Sequence, residues 1–239
     1  MPADQSVGTA DRRVWRRVGT LPYGSNPIIG IRQRGLMDDK MRQIIRHYDL
    51  LIEENNDPFR DPPTLRRYMS GWDGDAFLDA LALGPSKSVL EIGVGTGRLA
   101  AQVAPRCGRL TGIDLSPKTI ERARENLKEY HNITLVCGDF TAYAFQETFD
   151  AVYASLTMMH FADKRGVIEK AAALLNPGGL LCLSLDKNRS EWIDMGTRRV
   201  KIYPDDPAET ARLMTAAGLR VTVTSETPFA HIVAGEKRK

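Results

Sequence analysis

"EIGVGTGRLA", residues 91–100, follows directly on an apolar run that starts at Ser88. Gly93, Gly95 and Gly97 alternate through it, although glycine is entropically costly to order and offers no side chain to pack. A strand that ends in such a turn and continues as a helix presents bare backbone and helix N-terminal amides at the carboxyl edge of a sheet. That is a cradle for a polar ligand. The spacing departs from the dinucleotide fingerprint G-x-G-x-x-G, because Arg98 stands where its third glycine would be. A nicotinamide dinucleotide is therefore not expected.

Beyond the turn the chain alternates. Strand-like runs read at 88–93, 109–114, 132–137, 149–154 and 179–185, with helical patterns between them. In 117–130 the apolar positions are Ile120, Ala123, Leu127 and Tyr130, with Ser116 as cap and Pro117 in the first turn. In 164–175 they are Val167, Ile168, Ala171, Leu174 and Leu175, ended by "NPGG". Such alternation predicts a parallel sheet covered on both faces. The tail follows a different rule. "DDPAETARLMTAAG" is a helix with Asp206 as cap and Glu209 closing a capping box, and the two strands after it are so close that one must run antiparallel.

Two acidic residues complete the cradle. Asp114 ends the second strand, where a carboxylate can accept hydrogen bonds from ribose hydroxyls. Asp139 ends the third in "CGDF", placed to take an amine proton, with Phe140 beside it to lie against a base. Either acid alone could be a turn residue; two, each one strand after the last, point to a nucleoside.

With these residues on the page the chain resembles the class I S-adenosylmethionine-dependent methyltransferases of small-molecule type. The matching stretches are "VLEIGVGTG" (89–97), "GIDLSP" (112–117), "CGDF" (137–140), "FDAVYAS" (149–155) and "LLNPGGLLCLS" (174–184). The resemblance implies a doubly wound, Rossmann-like α/β sheet of seven strands, mostly parallel with the last antiparallel. It implies S-adenosylmethionine as cofactor and S-adenosylhomocysteine as product. Glu91 and Gly93, Gly95 and Gly97 would hold the methionine moiety, Asp114 the ribose, and Asp139 with Phe140 the adenine, with Leu115 a further cofactor contact. Ser155 and Leu156 would line the methyl-donor end.

The acceptor end of such a fold is built from sequence outside the shared core. Met41, Ile44, Ile45, Tyr48, Leu51 and Ile52 form one apolar face of a helix from about Asp38 to Glu53. "NNDPFRDPP" (55–63) then breaks the chain, and a second helical stretch near 64–83 is interrupted by Gly71 and Gly74. The expected organisation is an arginine-rich arm over 1–36, a helical cap or lid over 37–84, and the cofactor domain over 85–239. His160, just past the fourth strand, is the candidate proton acceptor, and Tyr48 the candidate hydroxyl aimed at the reacting groups. Tyr68, Trp72, Met159 and Lys187 are the expected substrate-pocket residues, with the loop 185–199 as a second source of polar groups. His47 reads as a surface position.

Composition narrows the class. Hydrophobic residues at 42% and charged ones at 26% describe an ordinary globular chain, and a net charge of +3 gives no argument for nucleic acid. Cys107, Cys137 and Cys182 are odd in number and lack metal-type spacing, so they read as reduced and packed, and no metal is expected. Without an apolar span or a signal-peptide core, the expectation is a cytoplasmic monomer or homodimer that meets no membrane. The expected activity is methyl transfer to a small acceptor, with oxygen or nitrogen ahead of carbon. The rivals are an RNA or protein methyltransferase that uses "DRRVWRR" (11–17) as a binding arm, and a cofactor-binding protein without transfer activity.

Overall fold

The computed structural model describes residues 39–239. The arginine-rich arm expected over 1–36 lies outside the described residues, as does Asp38.

Strand β1 (Ser88–Ile92) is buried along its whole length, as a central parallel strand must be. It pairs in parallel with β2 (Arg109–Asp114) on one side and β4 (Phe149–Ser155) on the other. Beyond β2 lies β3 (Ile133–Cys137), and beyond β4 lies β5 (Leu175–Asp186), which begins earlier than its apolar pattern suggests. The tail supplies β8 (Leu219–Glu226) and β9 (Ala230–Lys237). The sheet runs β3-β2-β1-β4-β5-β9-β8, with β9 antiparallel to both neighbours. This is the expected seven-stranded sheet with its last strand reversed.

Alternate strand residues feed two apolar layers. Leu90, Ile92, Val152 and Leu183 pack with Val167, Ile168 and Ala171 of α6 (Lys164–Ala173) and Leu213 and Met214 of α7 (Pro207–Ala216). Val89, Ala151, Tyr153 and Cys182 pack with α3 (Gly74–Asp79), the short α4 (Ala100–Val103) and α5 (Pro117–Asn126). Ser116 caps α5 by accepting the Thr119 amide, and Asp206 caps α7 through Glu209, so both predicted starts are formed.

Three helices precede this sheet among the described residues: α1 (Asp39–Glu53), α2 (Pro63–Met69) and α3. The stretch read as the loop 185–199 is only partly a loop. It contains most of a hairpin, β6 (Trp192–Asp194) with β7 (Arg199–Lys201), turning through Gly196 at φ +75°. Three-residue strands carry too little alternation to be read in advance. Of the cysteines, Cys107 and Cys182 are buried, but Cys137 at the outer strand is exposed rather than packed.

Candidate active site

The carboxyl ends of β1, β2, β3 and β4 open onto one cavity of about 690 Å³. Its lower wall is the glycine turn. Gly93, at φ +76°, has no room for a side chain because a Cβ would meet the Thr157 hydroxyl at 2.3 Å. Gly97, at φ +97°, would drive a Cβ into Leu127 at 2.7 Å, and it does not line the cavity. Only Gly95, at φ +55°, faces open space. The expectation that all three glycines clear room for a ligand is thus corrected: two of them make way for the protein's own side chains.

Asp114 sits over this turn. Its Oδ2 accepts the Gly95 amide at 3.0 Å and its Oδ1 the Ser116 amide at 3.0 Å. Burial raises its pKa, against the lowering effect of those amides. Glu91 is buried beneath, where Tyr153 Oη donates to its Oε2 at 2.7 Å. Burial pushes the Glu91 carboxyl up to about 8, more than the Tyr153 bond and the Arg98 charge bring it down. Asp139 is turned toward its own loop, accepting the Thr141 amide at 2.8 Å and hydroxyl at 2.6 Å. Phe140 is buried and lines the cavity. Leu115, Ser155 and Leu156 line it too. Leu156 adopts φ 54°, a left-handed backbone that a branched side chain avoids unless its surroundings impose it.

The apolar face of α1 forms the opposite wall, through Met41, Ile44, Ile45 and Tyr48. Tyr48 Oη lies 2.7 Å from His160 Nε2, joining residues 112 positions apart. His160 ends a short 3-10 turn, Met158–His160, after β4. Burial first, then the charges of His47, Lys40 and Lys164, lowers its pKa to about 4. The imidazole is therefore neutral at physiological pH. Burial raises the Tyr48 hydroxyl well above its ordinary value, and the nearby Asp114 charge adds to this, so it stays protonated. His160 Nδ1 has no partner among the described residues, so the tautomer with its proton there leaves Nε2 to accept from Tyr48.

The substrate-pocket expectation is not met. Tyr68 and Trp72 pack with Phe229, at centroid distances of 5.1 and 4.6 Å, away from the cavity. Lys187 Nζ bonds Glu226 Oε2 at 2.9 Å and the Thr227 carbonyl at 2.8 Å. Met159 is buried in packing, its carbonyl accepting the Tyr203 amide. None of the four lines the cavity. Its walls instead include Lys40, Met69, Arg98, Phe161, Val167, Lys170 and Tyr203, of which Val167 was legible on a helix face, Arg98 at the glycine turn and Met69 within the second helical stretch. His47, expected at the surface, is buried and accepts Arg198 Nε at 3.2 Å. Arg98, the residue that breaks the dinucleotide fingerprint, is paired with Asp73, whose Oδ2 also accepts the Ser155 hydroxyl at 3.1 Å.

Residues 89–179 match the family described as "Methyltransferase domain". Nodulation protein S of Rhizobium tropici is 30% identical over 156 residues, 61% of this chain and 63% of that one. Its counterpart from Sinorhizobium fredii is 29% identical over 118 residues, 47% of this chain and 55% of that protein. This chain thus spans between about half and two thirds of the length of these curated relatives. The solved structure of the N-methyltransferase NodS from Bradyrhizobium japonicum WM9, in complex with S-adenosyl-L-homocysteine, shares the fold. Its TM-score is 0.62 at 20% identity, over 84% of this chain and all of that one. Residues 89–179 therefore carry a methyltransferase domain, within a sheet of the class I S-adenosylmethionine-dependent methyltransferase type. No described helix is long and apolar enough to cross a membrane.

Proposed function

We propose that the protein transfers a methyl group from S-adenosylmethionine to the oxygen or nitrogen of a small organic acceptor. One observation carries this reading. A single cavity joins the nucleoside-type cradle of Gly95 and Asp114 to the Tyr48–His160 pair. Its volume of about 690 Å³ suits a cofactor and a small molecule rather than a polymer.

The residues present fit the cofactor. Gly95 leaves open the space a Cβ would fill, and Asp114 has only backbone amides as hydrogen-bond donors, so its remaining lone pairs can take ribose hydroxyls. Glu91, Gly93 and Gly95 would hold the methionine end, Leu115, Asp139 and Phe140 the base, and Ser155 and Leu156 the reacting end. When bound, the cofactor supplies an electrophilic methyl group on a sulfonium. The chain's own residues align the acceptor and exclude water, the apolar face of α1 serving both purposes. Tyr48 Oη can accept a proton from the acceptor as it passes its own to His160 Nε2, a neutral base at physiological pH. We place the protein in the cytoplasm as a monomer or homodimer, acting on a small molecule without nucleic acid.

The test is a screen of phenols, alcohols, acids and amines with labelled S-adenosylmethionine, read by mass spectrometry for products heavier by one CH2. Labelled product from at least one small acceptor is expected. No product from any of them, together with no calorimetric binding of S-adenosylhomocysteine, would remove the assignment. Activity found only on RNA or a protein, and lost on deleting residues 1–36, would transfer it to the polymer reading.

A further inference from the structure

Lys164 opens α6 four residues after His160, and its side chain runs back beneath the turn that carries the imidazole. Its Nζ donates to the Met158 carbonyl at 3.0 Å and to the Tyr203 carbonyl at 3.0 Å, and it forms an ion pair with Asp205. All three of the ammonium's donors are thereby used, on two separate segments. The side chains of Lys164 and Asp205 are 16% and 1% exposed, so the pair is largely withdrawn from water. Arg189 Nη1 adds a bond to the Asp205 carbonyl at 3.0 Å, and the Tyr203 amide bonds the Met159 carbonyl at 2.8 Å. Tyr203 itself is a cavity wall.

We propose that Lys164 is a positioning residue for the acceptor end: it clamps the Met158–His160 turn to the 203–205 segment, and so fixes where His160 Nε2 meets Tyr48 and where Tyr203 closes the wall. The inference rests on the proposed role of the Tyr48–His160 pair. A lysine is suited to this clamp because its point charge on a flexible stem can serve three acceptors at once. The same charge helps keep the imidazole neutral. The charged and titratable groups around His160 are Tyr48, His47 and Lys40 of α1, Asp163 and Lys164 at the start of α6, and Asp114 beyond Tyr48, with Asp205 partnering the lysine. Burial of the ring and the positive charges of His47, Lys40 and Lys164 all oppose its protonation.

The experiment compares Lys164→Met, which removes donors and charge, with Lys164→Gln, which keeps two N–H donors on a shorter stem and loses the charge. Histidine rings are labelled with carbon-13, the His160 signal is assigned with His160→Asn, and its titration is followed by NMR. S-adenosylhomocysteine binding is measured by calorimetry on the same proteins. Expected are a His160 midpoint moved upward in both variants, a His160 ring signal displaced in both and further in Lys164→Met, and S-adenosylhomocysteine affinity within about threefold of the parent. On an acceptor found in the screen, turnover should fall at least tenfold in Lys164→Met and less in Lys164→Gln. Should Lys164→Met fail to fold, the Lys164→Gln ring signal still decides. An undisplaced His160 ring signal in a folded Lys164→Gln protein overturns the proposal even if the midpoint moves, because loss of charge alone moves the midpoint. Displaced signals with unchanged turnover would uphold the clamp and instead remove His160 from the proposed chemistry.

Discussion

The first two described helices, α1 and α2, differ in how they are held. α1 buries Ile44 and His47 and is tied to the rest of the molecule at several points. Glu54, just past its end, takes Arg198 through Oε2 at 2.7 Å, Asp49 accepts the Ser116 hydroxyl at 2.6 Å, and Glu53 pairs with Lys118. α2 buries no residue; Leu65 is 42% and Tyr68 51% exposed. An aromatic cluster of Tyr68 and Trp72 with Phe229 holds it, together with a bond from the Phe229 amide to the Gly71 carbonyl. Both reach the cavity, α1 through five residues, Lys40 and Tyr48 among them, and α2 through Met69. The difference divides the expected cap in two: α1, with the fuller stripe, packs as a wall of the cavity, and α2, with little to bury, is the better candidate for a flap.

The largest expected contrast is chemical. Tyr48→Phe or His160→Asn should lower turnover about 100-fold, as loss of general base chemistry does, with S-adenosylhomocysteine affinity unchanged. Met69→Ala, on the flap, should change turnover less than about threefold; equal losses in steady-state kinetics would break the comparison. Hydrogen exchange should come next. Amides of 44–53 should exchange at least about tenfold more slowly than those of 63–69 without ligand, and added S-adenosylhomocysteine should slow 63–69 more. Fast exchange in α1 that ligand alone suppresses would make α1 the lid.

Stability gives smaller effects. Phe229→Ala should cost about 1–2 kcal/mol in chemical denaturation by dispersing the ring cluster, and Arg198→Ala should cost less because its partner Glu54 is half exposed. The smallest effect is one of pH. His47 and His160 both have lowered pKa values in the folded protein, the first by burial and the Arg198 charge, the second to about 4. Groups depressed in this way stabilise the fold fully above their unfolded value near 6.5 and lose that contribution as pH falls toward the folded value. Between pH 6.5 and 4, exchange in α1, corrected for the intrinsic rate, should therefore accelerate relative to α2. A constant ratio would show that the histidines do not hold α1.

The sheet and the cofactor cradle were legible because local patterns specify them. Alternating strands and helices, the turn at 93–97 and carboxylates at strand ends each need only a few consecutive residues, and Asp114 and Phe140 stand where those patterns put them. Tyr48 and His160 were legible singly, from a helix face and a strand end, but their hydrogen bond spans 112 positions and leaves no local trace. The same holds for His47 with Arg198 and Lys164 with Asp205. The substrate-pocket expectation failed where competing partners lay far along the chain: Glu226 for Lys187, and Phe229 for Tyr68 and Trp72. Gly97 was read correctly as a turn glycine, yet its reason is Leu127, thirty positions on.

The reversed strand has a bearing on synthesis. β9 follows every other described strand in the chain yet lies inside the sheet, between β5 and β8. A ribosome that adds about 5–20 residues per second delivers the whole cradle, 91–160, before β9 exists. Until residues 230–237 emerge, the backbone of β5 from Leu180 to Asp186 has no antiparallel neighbour and stands as an open edge to any passing strand. The nascent domain can thus complete its ligand-binding half early while its sheet still lacks the strand that seals it.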